Sequence, residues 1–196
     1  MDNDLHNLIL ELTGGDDQIA ESAAGAIVKL SQNKPGEVLR TLRILLESGD
    51  ADERWWGVRV LAEISDRAAL PLLRLALHDQ DKYVRQCAAL GLRKKPHPAA
   101  ATGLIEALND ENHLVVELAA DALTEIGEGA VPALLEVLED RNPKSRLEAV
   151  RALAEIGDRR SIPELFSLLD DDSQLVAYWA NEGLERMGVG MVYYLP

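Results

Sequence analysis

Apolar residues along this chain recur with helical spacing, and the helical pattern itself repeats with a period close to 31 residues. Each repeat ends in two positions three residues apart, of which the first is always large and apolar. The pairs are Ile27/Leu30, Leu61/Ile64, Leu92/Lys95, Leu123/Ile126, Leu153/Ile156 and Leu184/Met187. Successive pairs are separated by 34, 31, 31, 30 and 31 residues, which indicates an internal structural repeat.

A small residue stands four positions before the first member of every pair. These residues are Ala23, Gly57, Ala88, Ala119, Ala149 and Ala180. Positions four apart lie on the same face of a helix, so each small residue shares a face with a large apolar one. We expect this face to be buried against another helix that approaches closely.

A second apolar run follows each of the first five pairs. The runs cover residues 42–46, 73–77, 104–108, 134–138 and 165–169. Pro71, Pro132 and Pro163 fall where the first turn of a helix would be, a position at which a missing backbone N–H costs nothing. Each repeat is therefore predicted to contain two helices, called the first and the second helix below.

Such a two-helix unit buries only one side of itself, so several units must stack to form a continuous core. The pattern predicts an all-α fold, an α-solenoid (α-α superhelix) of about five helix pairs within a single domain, 1–196. Residues 3–13 are predicted as a capping helix, 17–169 as the five pairs and 173–187 as a last, unpaired helix. We expect the tail, residues 188–196, to lie extended over the open end.

Composition and charge exclude several classes of protein. The net charge is −14, of which residues 1–98 contribute −2 and residues 99–196 contribute −12, so binding of nucleic acid is not expected. The single cysteine, Cys87, cannot form an intramolecular disulfide, which favours a reducing, cytoplasmic compartment. No long apolar run suggests a membrane segment, and the acidic residues after Met1 do not resemble a secretory leader.

The repeated residues carry a resemblance to a known family. An aspartate-rich turn precedes Val84-Arg85 and Ala88, and another copy has Arg146 and Ala149 followed by the segment 153–158 and by Ile162-Pro163. This pattern resembles the HEAT repeat and is similar to the short bacterial form found in phycobilin-lyase subunits. The resemblance covers nearly the whole chain and implies the stacked-helix fold, which serves scaffolds, chaperone-like helpers, bilin lyases and a few enzymes.

Signatures of the family's enzymes are absent from this sequence. The family's deoxyhypusine hydroxylases bind iron through His-Glu pairs, but here His6, His78, His97 and His113 are followed by Asn7, Asp79, Pro98 and Leu114. The related DNA glycosylases use a basic concave face, which the acidic second half does not offer. We predict no catalytic residue, no cofactor and no metal site.

Two smaller motifs have structural explanations that we favour. The run Asp170-Asp171-Asp172 lacks the glycine and the distal glutamate of a calcium loop and is interpreted as helix capping. Cys87 has Arg85 and Arg93 nearby in sequence, which would lower a thiol pKa, but no base accompanies it and an inert thiol is the better interpretation.

Second helices line the concave side of HEAT-type stacks, so their exposed residues are the candidate partner-binding groove. The first two pairs predict a basic, partly apolar end, formed by Arg40, Arg43, Ile44, Arg74 and Leu75. The later pairs predict an acidic end, formed by Glu106, Glu136, Glu139 and Glu164. Complementary charge would orient a partner in such a groove. The alternative, ordinary solvated helix faces, stays open.

Aromatic pairs occupy the same two positions of the first helix, four repeats apart, as Trp55-Trp56 and Tyr178-Trp179. Helical geometry points Trp55 and Tyr178 away from the core, so these two are candidate surface anchors for a partner. Trp56 is expected to pack between first helices, and Trp179 to be covered by the tail through Val192 or Tyr193.

The third repeat departs from the pattern, because Lys95 replaces an apolar residue and Pro96 and Pro98 follow. The helix is expected to end early or to turn this lysine outward, and the stack to bend or flex here. A local basic patch is also expected, formed by Lys82, Arg85, Arg93, Lys94 and Lys95. The alternative for these cations is stabilisation of a helix C-terminus.

These observations favour a non-catalytic, cytoplasmic scaffold that binds another protein or a peptide segment along its second-helix groove. The resemblance implies an alternative, a helper or subunit of a bilin or other tetrapyrrole lyase or of a phycobilisome-degradation system. In that case aromatic residues and arginines would hold the rings and propionates of the pigment.

Overall fold

In the computed structural model, which describes residues 3–139 and 142–189, the first members of the repeated pairs and the small residues before them lie on helices. The repeated pairs and these small residues are together called the ladder below. Twelve α-helices are present in these residues, and no strand is found among them. The helices are α1 (Asn3–Leu12), α2 (Asp17–Asn33), α3 (Pro35–Leu46), α4 (Ala51–Glu63), α5 (Leu70–Ala76), α6 (Lys82–Lys94), α7 (Ala101–Ala107), α8 (His113–Ile126), α9 (Val131–Val137), α10 (Pro143–Ile156), α11 (Ile162–Ser167) and α12 (Gln174–Arg186). The predicted all-α fold of a leading helix, five pairs and a last helix is confirmed.

The chain divides into two compact units, Met1–Lys95 and Pro96–Pro196. In the N-terminal unit, α4 packs against the first helices α2 and α6 and against the second helices α3 and α5. In the C-terminal unit, α10 packs in the same way against α8 and α12 and against α9. Each unit therefore stacks first helices on first helices, as the repeat predicts. A single domain spanning residues 1–196 stays a prediction.

Packing within each unit follows the small and large positions of the ladder. The large first members of all six pairs are buried, as are the six small residues that precede them by one turn. Two glycines bring backbones even closer: a Cβ added at Gly91 would lie 2.8 Å from the Cβ of Ala62, and one added at Gly183 would lie 2.9 Å from the Cα of Ala154. Close approach of α6 to α4, and of α12 to α10, depends on these glycines.

Acidic and amide side chains begin the first helices. Side-chain oxygens at the N-cap positions accept hydrogen bonds from backbone N–H groups two or three residues ahead, and the N-cap residues are Asp16, Asp50, Asp81, Asn112 and Asn142. A short 3-10 turn precedes each of α5, α7, α9 and α11. Proline stands in the first turn of α5, α9 and α11, as predicted for Pro71, Pro132 and Pro163.

The capping interpretation of the run Asp170-Asp171-Asp172 is wrong in detail. Ser173 is the N-cap residue of α12, and its side chain makes no capping hydrogen bond. Asp171 accepts instead from the backbone N–H of Ser173 at 2.8 Å and forms an ion pair with Arg146. The acidic residue before the cap thus binds an arginine of the preceding repeat.

Lys95, the polar exception among the repeated pairs, makes a hydrogen bond at the end of the N-terminal unit. Helix α6 stops at Lys94, and the Lys95 Nζ donates a hydrogen bond to the carbonyl oxygen of Ile64 at 2.7 Å. That carbonyl lies at the C-terminal end of α4, which favours a cation. The lysine therefore turns back onto the preceding repeat, and burial lowers its pKa.

The predicted basic patch does not form in the structure. Its predicted members are Lys82, Arg85, Arg93, Lys94 and Lys95. Arg85 is 7% exposed, and its Nη1 donates to the backbone carbonyls of Asp79 and Gln80 at 2.9 and 3.2 Å. The Lys94 Nζ pairs with Glu63 at 3.1 Å. The prediction is wrong because the helix spreads these residues over different faces and three of them bind acceptors within the unit.

The tail, residues 188–196, is predicted to lie extended over the open end, and residues 190–196 lie outside the described part of the chain. Gly188, with a φ of 73°, ends α12. In the described residues, no helix has the length and the apolar run that crossing a bilayer requires.

Candidate functional site

The second helices of the N-terminal unit present the predicted basic face. Arg40 and Arg43 are exposed on α3, and Ile44 beside them is 70% exposed. On α5, Leu75 is 55% exposed, whereas Arg74 is half-buried and its Nε has no hydrogen-bond partner within the described residues. An isoleucine this exposed beside arginines is available to contact a partner. The assignment of these residues to partner binding stays a prediction.

The second helices of the C-terminal unit present an acidic face with two adjoining clefts. One cleft, of about 370 Å³, lies between α7 and α9, and the other, of about 470 Å³, lies between α9 and α11. Glu136 and Glu139 line both clefts, and Glu164 lines the second. Glu106 is exposed on α7 but does not line either one. Three of the four predicted glutamates are thus brought together.

A third cleft, which the sequence did not predict, lies at the start of the N-terminal unit. It has a volume of about 570 Å³ and is formed by the corner between α1 and α2 and the first turns of α4. Trp55 and Trp56 line it in an edge-to-face contact, with ring centroids 4.9 Å apart. Its acidic residues are Asp17, Glu21, Asp50, Asp52 and Glu53. Both indoles therefore lie among carboxylates.

This placement bears on the pigment site that the resemblance implied. Trp55 belongs to the first helix α4, whereas Arg40 and Arg43 belong to the second helix α3 and Arg74 to α5. Propionates would be repelled by the carboxylates around the indoles. No arginine is among the residues that line the cleft around the two indoles.

The two aromatic pairs differ in exposure. Tyr178 is 55% exposed, as expected for a surface anchor, and its ring contacts Trp179 edge to face at 5.5 Å. Trp55 is half-buried, whereas helical geometry predicts that it points away from the core. It is therefore less exposed than predicted. Trp56 and Trp179 are also half-buried. The cover that Val192 or Tyr193 would give Trp179 lies outside the described residues.

The Cys87 thiol is not activated. Burial raises its pKa to about 11, and Arg59 and Lys94 only partly oppose this effect. Among residues 3–139 and 142–189, no three His, Cys, Asp or Glu side chains form a group that could hold a metal ion.

We expect Cys87 to react slowly with Ellman's reagent in the folded protein at pH 8, because less than about 1% of a thiol with this pKa is ionised there. Unfolding in urea should release a thiol of ordinary reactivity. The release of thionitrobenzoate measures both rates. Fast labelling of the native protein would contradict the raised pKa of this half-buried thiol.

The sequence reasoning missed the role of buried arginines at the turns between repeats. Arg54, 4% exposed, donates from Nε and Nη2 to the carboxylate oxygens of Asp79 at 2.7 and 2.9 Å. Arg146, which is half-buried, also forms an ion pair with Asp171 through its Nη2. In both cases the arginine stands four residues after the N-cap and the aspartate 25 residues further on, a signal that the sequence does contain.

Comparison with known proteins agrees with this geometry. A family model described as HEAT repeats matches residues 7–93, 38–124, 72–138 and 102–185. The chain is 31% identical over 153 residues to the uncharacterized phycocyanin operon protein Z of Pseudanabaena tenuis, a match that covers 74% of this chain and 76% of the relative.

Two further proteins match parts of the chain. The chain is 42% identical over 69 residues to phycocyanobilin lyase subunit beta of Pseudanabaena tenuis, which covers 35% of this chain and 24% of that subunit. The structure of the complex of CpcE and CpcF of phycocyanin lyase from Nostoc sp. PCC7120 matches with a TM-score of 0.55 at 22% identity, over 76% of this chain and 96% of that chain. At that identity the structural likeness concerns the fold alone.

Proposed function

We propose that this chain, which belongs to the HEAT-repeat family, is a protein-binding helper subunit of a bilin lyase-type system. The relatives named for the phycocyanin operon and for a phycocyanobilin lyase support the bilin-handling context. They favour such a helper over a general scaffold, which was the first interpretation of the sequence.

The observation that carries the protein-binding role is the exposed apolar side chain of Ile44 on α3. It is 70% exposed and is flanked by the exposed Arg40 and Arg43 on the same helix. Burying an isoleucine side chain on association contributes about 1.5–3 kcal/mol, and neighbouring cations select an acidic partner surface. The basic face of the N-terminal unit is therefore proposed to bind an acidic, partly apolar patch of the partner.

We propose that the chain by itself binds protein and does not hold the pigment. The aromatic cleft around Trp55 is lined by carboxylates, which repel the propionates of a bilin. No activated thiol accompanies it, because burial raises the pKa of Cys87. The helper is accordingly proposed to be non-catalytic. A cytoplasmic location is proposed because the single cysteine, Cys87, cannot form an intramolecular disulfide.

The test uses the purified chain, phycocyanobilin and a phycocyanin apo-subunit. We expect the absorbance of phycocyanobilin to stay unchanged on titration with the chain alone. The immobilised chain should retain the apo-subunit or a bilin lyase subunit, and Arg40→Glu/Arg43→Glu should weaken capture by about tenfold. Lys29→Glu/Lys82→Glu makes the same change in net charge on exposed positions of first helices and serves as the matched control.

A shift of the phycocyanobilin spectrum on addition of the chain alone would contradict the proposal and indicate that the chain itself binds the pigment. Failure to capture any phycocyanin or lyase subunit would reject the bilin context and return the chain to the general scaffold interpretation. Equal loss with both pairs of variants would show that overall charge, and not the face around Ile44, governs binding.

A further inference from the structure

Two glutamates on the acidic face of the C-terminal unit have no basic partner within the described residues. The second helices α9 and α11 each contain one glutamate and no lysine, arginine or histidine. Glu136 and Glu139 are exposed, and no basic side chain among residues 3–139 and 142–189 forms an ion pair with either of them. Repulsion between such carboxylates is relieved when a cation binds.

First helices of the same unit behave differently. Arg146 pairs with Asp171, Arg151 lies 3.0 Å from Glu148 and 3.6 Å from Asp121, and Arg186 lies 3.9 Å from Glu182. Several acidic residues on these helices thus have basic neighbours, whereas the exposed Glu125 and Glu155 form no ion pair within the described residues. Glu136 and Glu139 differ from Glu125 and Glu155 because they also line two clefts.

A buried carboxylate oxygen on this face also lacks a donor. The Glu164 Oε2 is inaccessible to solvent and makes no hydrogen bond within the described residues, although Glu164 lines the cleft between α9 and α11. A carboxylate oxygen removed from water without a donor is unfavourable. Because the oxygen is inaccessible, an N–H donor of a bound group would reach it only after the Glu164 side chain rotates into the cleft.

Apolar side chains line the same two clefts as the carboxylates. Ile105 lines the first cleft, Leu135, Leu138 and Leu168 line the second, and Phe166 on α11 is 43% exposed. The acidic groove is defined here by Ile105, Leu135, Glu136, Leu138, Glu139 and Glu164. A ligand that fits it presents cations with apolar groups between them. Pigment propionates, nucleic acid and anionic membranes all have the wrong charge.

We propose that the acidic groove is a docking site for an extended segment of a partner protein in which arginine or lysine alternates with apolar residues. Neighbouring helices lie about 8–10 Å apart, and an extended chain advances about 3.1–3.4 Å per residue. Cations at every third residue therefore meet the glutamates of successive repeats. The inference rests on the proposed function, because it adds a second contact region to the same protein partner.

Fluorescence polarisation with a designed peptide tests the site directly. The probe is a fluorescein-labelled peptide with arginine at every third position and leucine and alanine at the others. We expect the full chain to bind it and to bind the matching glutamate-containing peptide not at all. Glu136→Gln/Glu139→Gln should weaken binding by about tenfold, whereas the control Glu125→Gln/Glu155→Gln, which removes the same charge from exposed positions on first helices, should change it by less than about twofold.

Three results would overturn the inference: no binding of the arginine peptide, equal loss with both pairs of variants, or binding of spermine at Glu136 and Glu139 without binding of the peptide. Circular dichroism of each variant establishes that the fold is retained. The assay contains neither pigment nor phycocyanin, and Arg40 and Arg43 lie in the other unit. Loss of peptide binding with intact capture of the apo-subunit therefore rejects only this inference, and the reverse result rejects only the proposed function.

Discussion

Replacing Asp79 with alanine is expected to lower the free energy of unfolding of the N-terminal unit by about 3–5 kcal/mol. Asp79 receives hydrogen bonds from the Nε and Nη2 of Arg54 at 2.7 and 2.9 Å, and the Arg54 Nη1 donates to the carbonyl oxygen of Ser48 at 2.9 Å. Arg54 is 4% exposed, so the variant leaves a buried cation without its charged partner. The cost of that unpaired charge exceeds the net contribution of the original pair.

Urea unfolding followed by tryptophan fluorescence measures this loss. The chain contains three tryptophans, and Trp179→Phe as a background leaves Trp55 and Trp56, which both lie in the N-terminal unit. The double variant Arg54→Met/Asp79→Ala removes both charges and should recover much of the stability. A loss below about 1 kcal/mol in Asp79→Ala alone would be the value of a surface pair and would contradict burial of the guanidinium.

The same pair predicts a dependence on pH. Burial opposes ionisation of Asp79, but the hydrogen bonds from Arg54 and from the backbone N–H of Asp81 outweigh it, and the pKa of Asp79 is lowered. A carboxylate with a lowered pKa stabilises the fold above its unfolded pKa of about 3.9, and this contribution is lost as pH falls through the folded value. The stability difference between wild type and Asp79→Ala should be constant from about pH 5 to 8 and should narrow below about pH 4.

Substituting alanine for Gly183 is expected to destabilise the C-terminal unit by about 1–3 kcal/mol. The new Cβ would lie 2.9 Å from both the Cα and the Cβ of Ala154 and 3.0 Å from the Leu165 Cδ1. Backbone atoms cannot rotate away as a flexible side chain can, so α12 must move away from α10. Each displaced contact reduces the close packing on which the core depends.

Gly25→Ala is the matched control for this prediction. Gly25 also lies within a helix, α2, but it is exposed, and a Cβ added there would meet no atom within 4 Å. Without a clash, alanine should stabilise the helix by about 0.5–1 kcal/mol. Thermal unfolding by circular dichroism should therefore show shifts of opposite sign. Stabilisation by both substitutions would mean that α12 does not approach α10 this closely.

Hydrophobic periodicity predicted the repeat fold because burial of a helix face is a local property of the sequence. The small residues at positions such as Ala88 and Ala149 predicted the close packing correctly, and the prolines marked the starts of second helices. Exposure of most candidate residues on the second helices was predicted for the same reason, although Arg74 and Glu164 are half-buried. Ile44, for example, lies opposite the apolar stripe that contains Leu42 and Leu45.

Contacts between distant residues were harder to predict. Arginine is usually exposed, so composition gave no reason to bury Arg54 or Arg85, whose acceptors lie at the turns between repeats. Lys95 was noticed as an exception to the ladder, but its acceptor, the carbonyl oxygen of Ile64, becomes apparent only when consecutive repeats are stacked. The cleft around Trp55 depends on a corner between α1 and α2 that lies outside the repeat pattern.

The fixed distance between each turn arginine and its aspartate limits how such a chain can evolve. Arg54 and Asp79, like Arg146 and Asp171, stand 25 residues apart and belong to consecutive repeats. Duplicating or deleting one complete module keeps every remaining arginine opposite an acceptor, whereas a one-residue insertion inside a second helix moves one partner out of reach. Gene recombination and protein engineering should therefore succeed in steps of a whole repeat and fail in smaller ones.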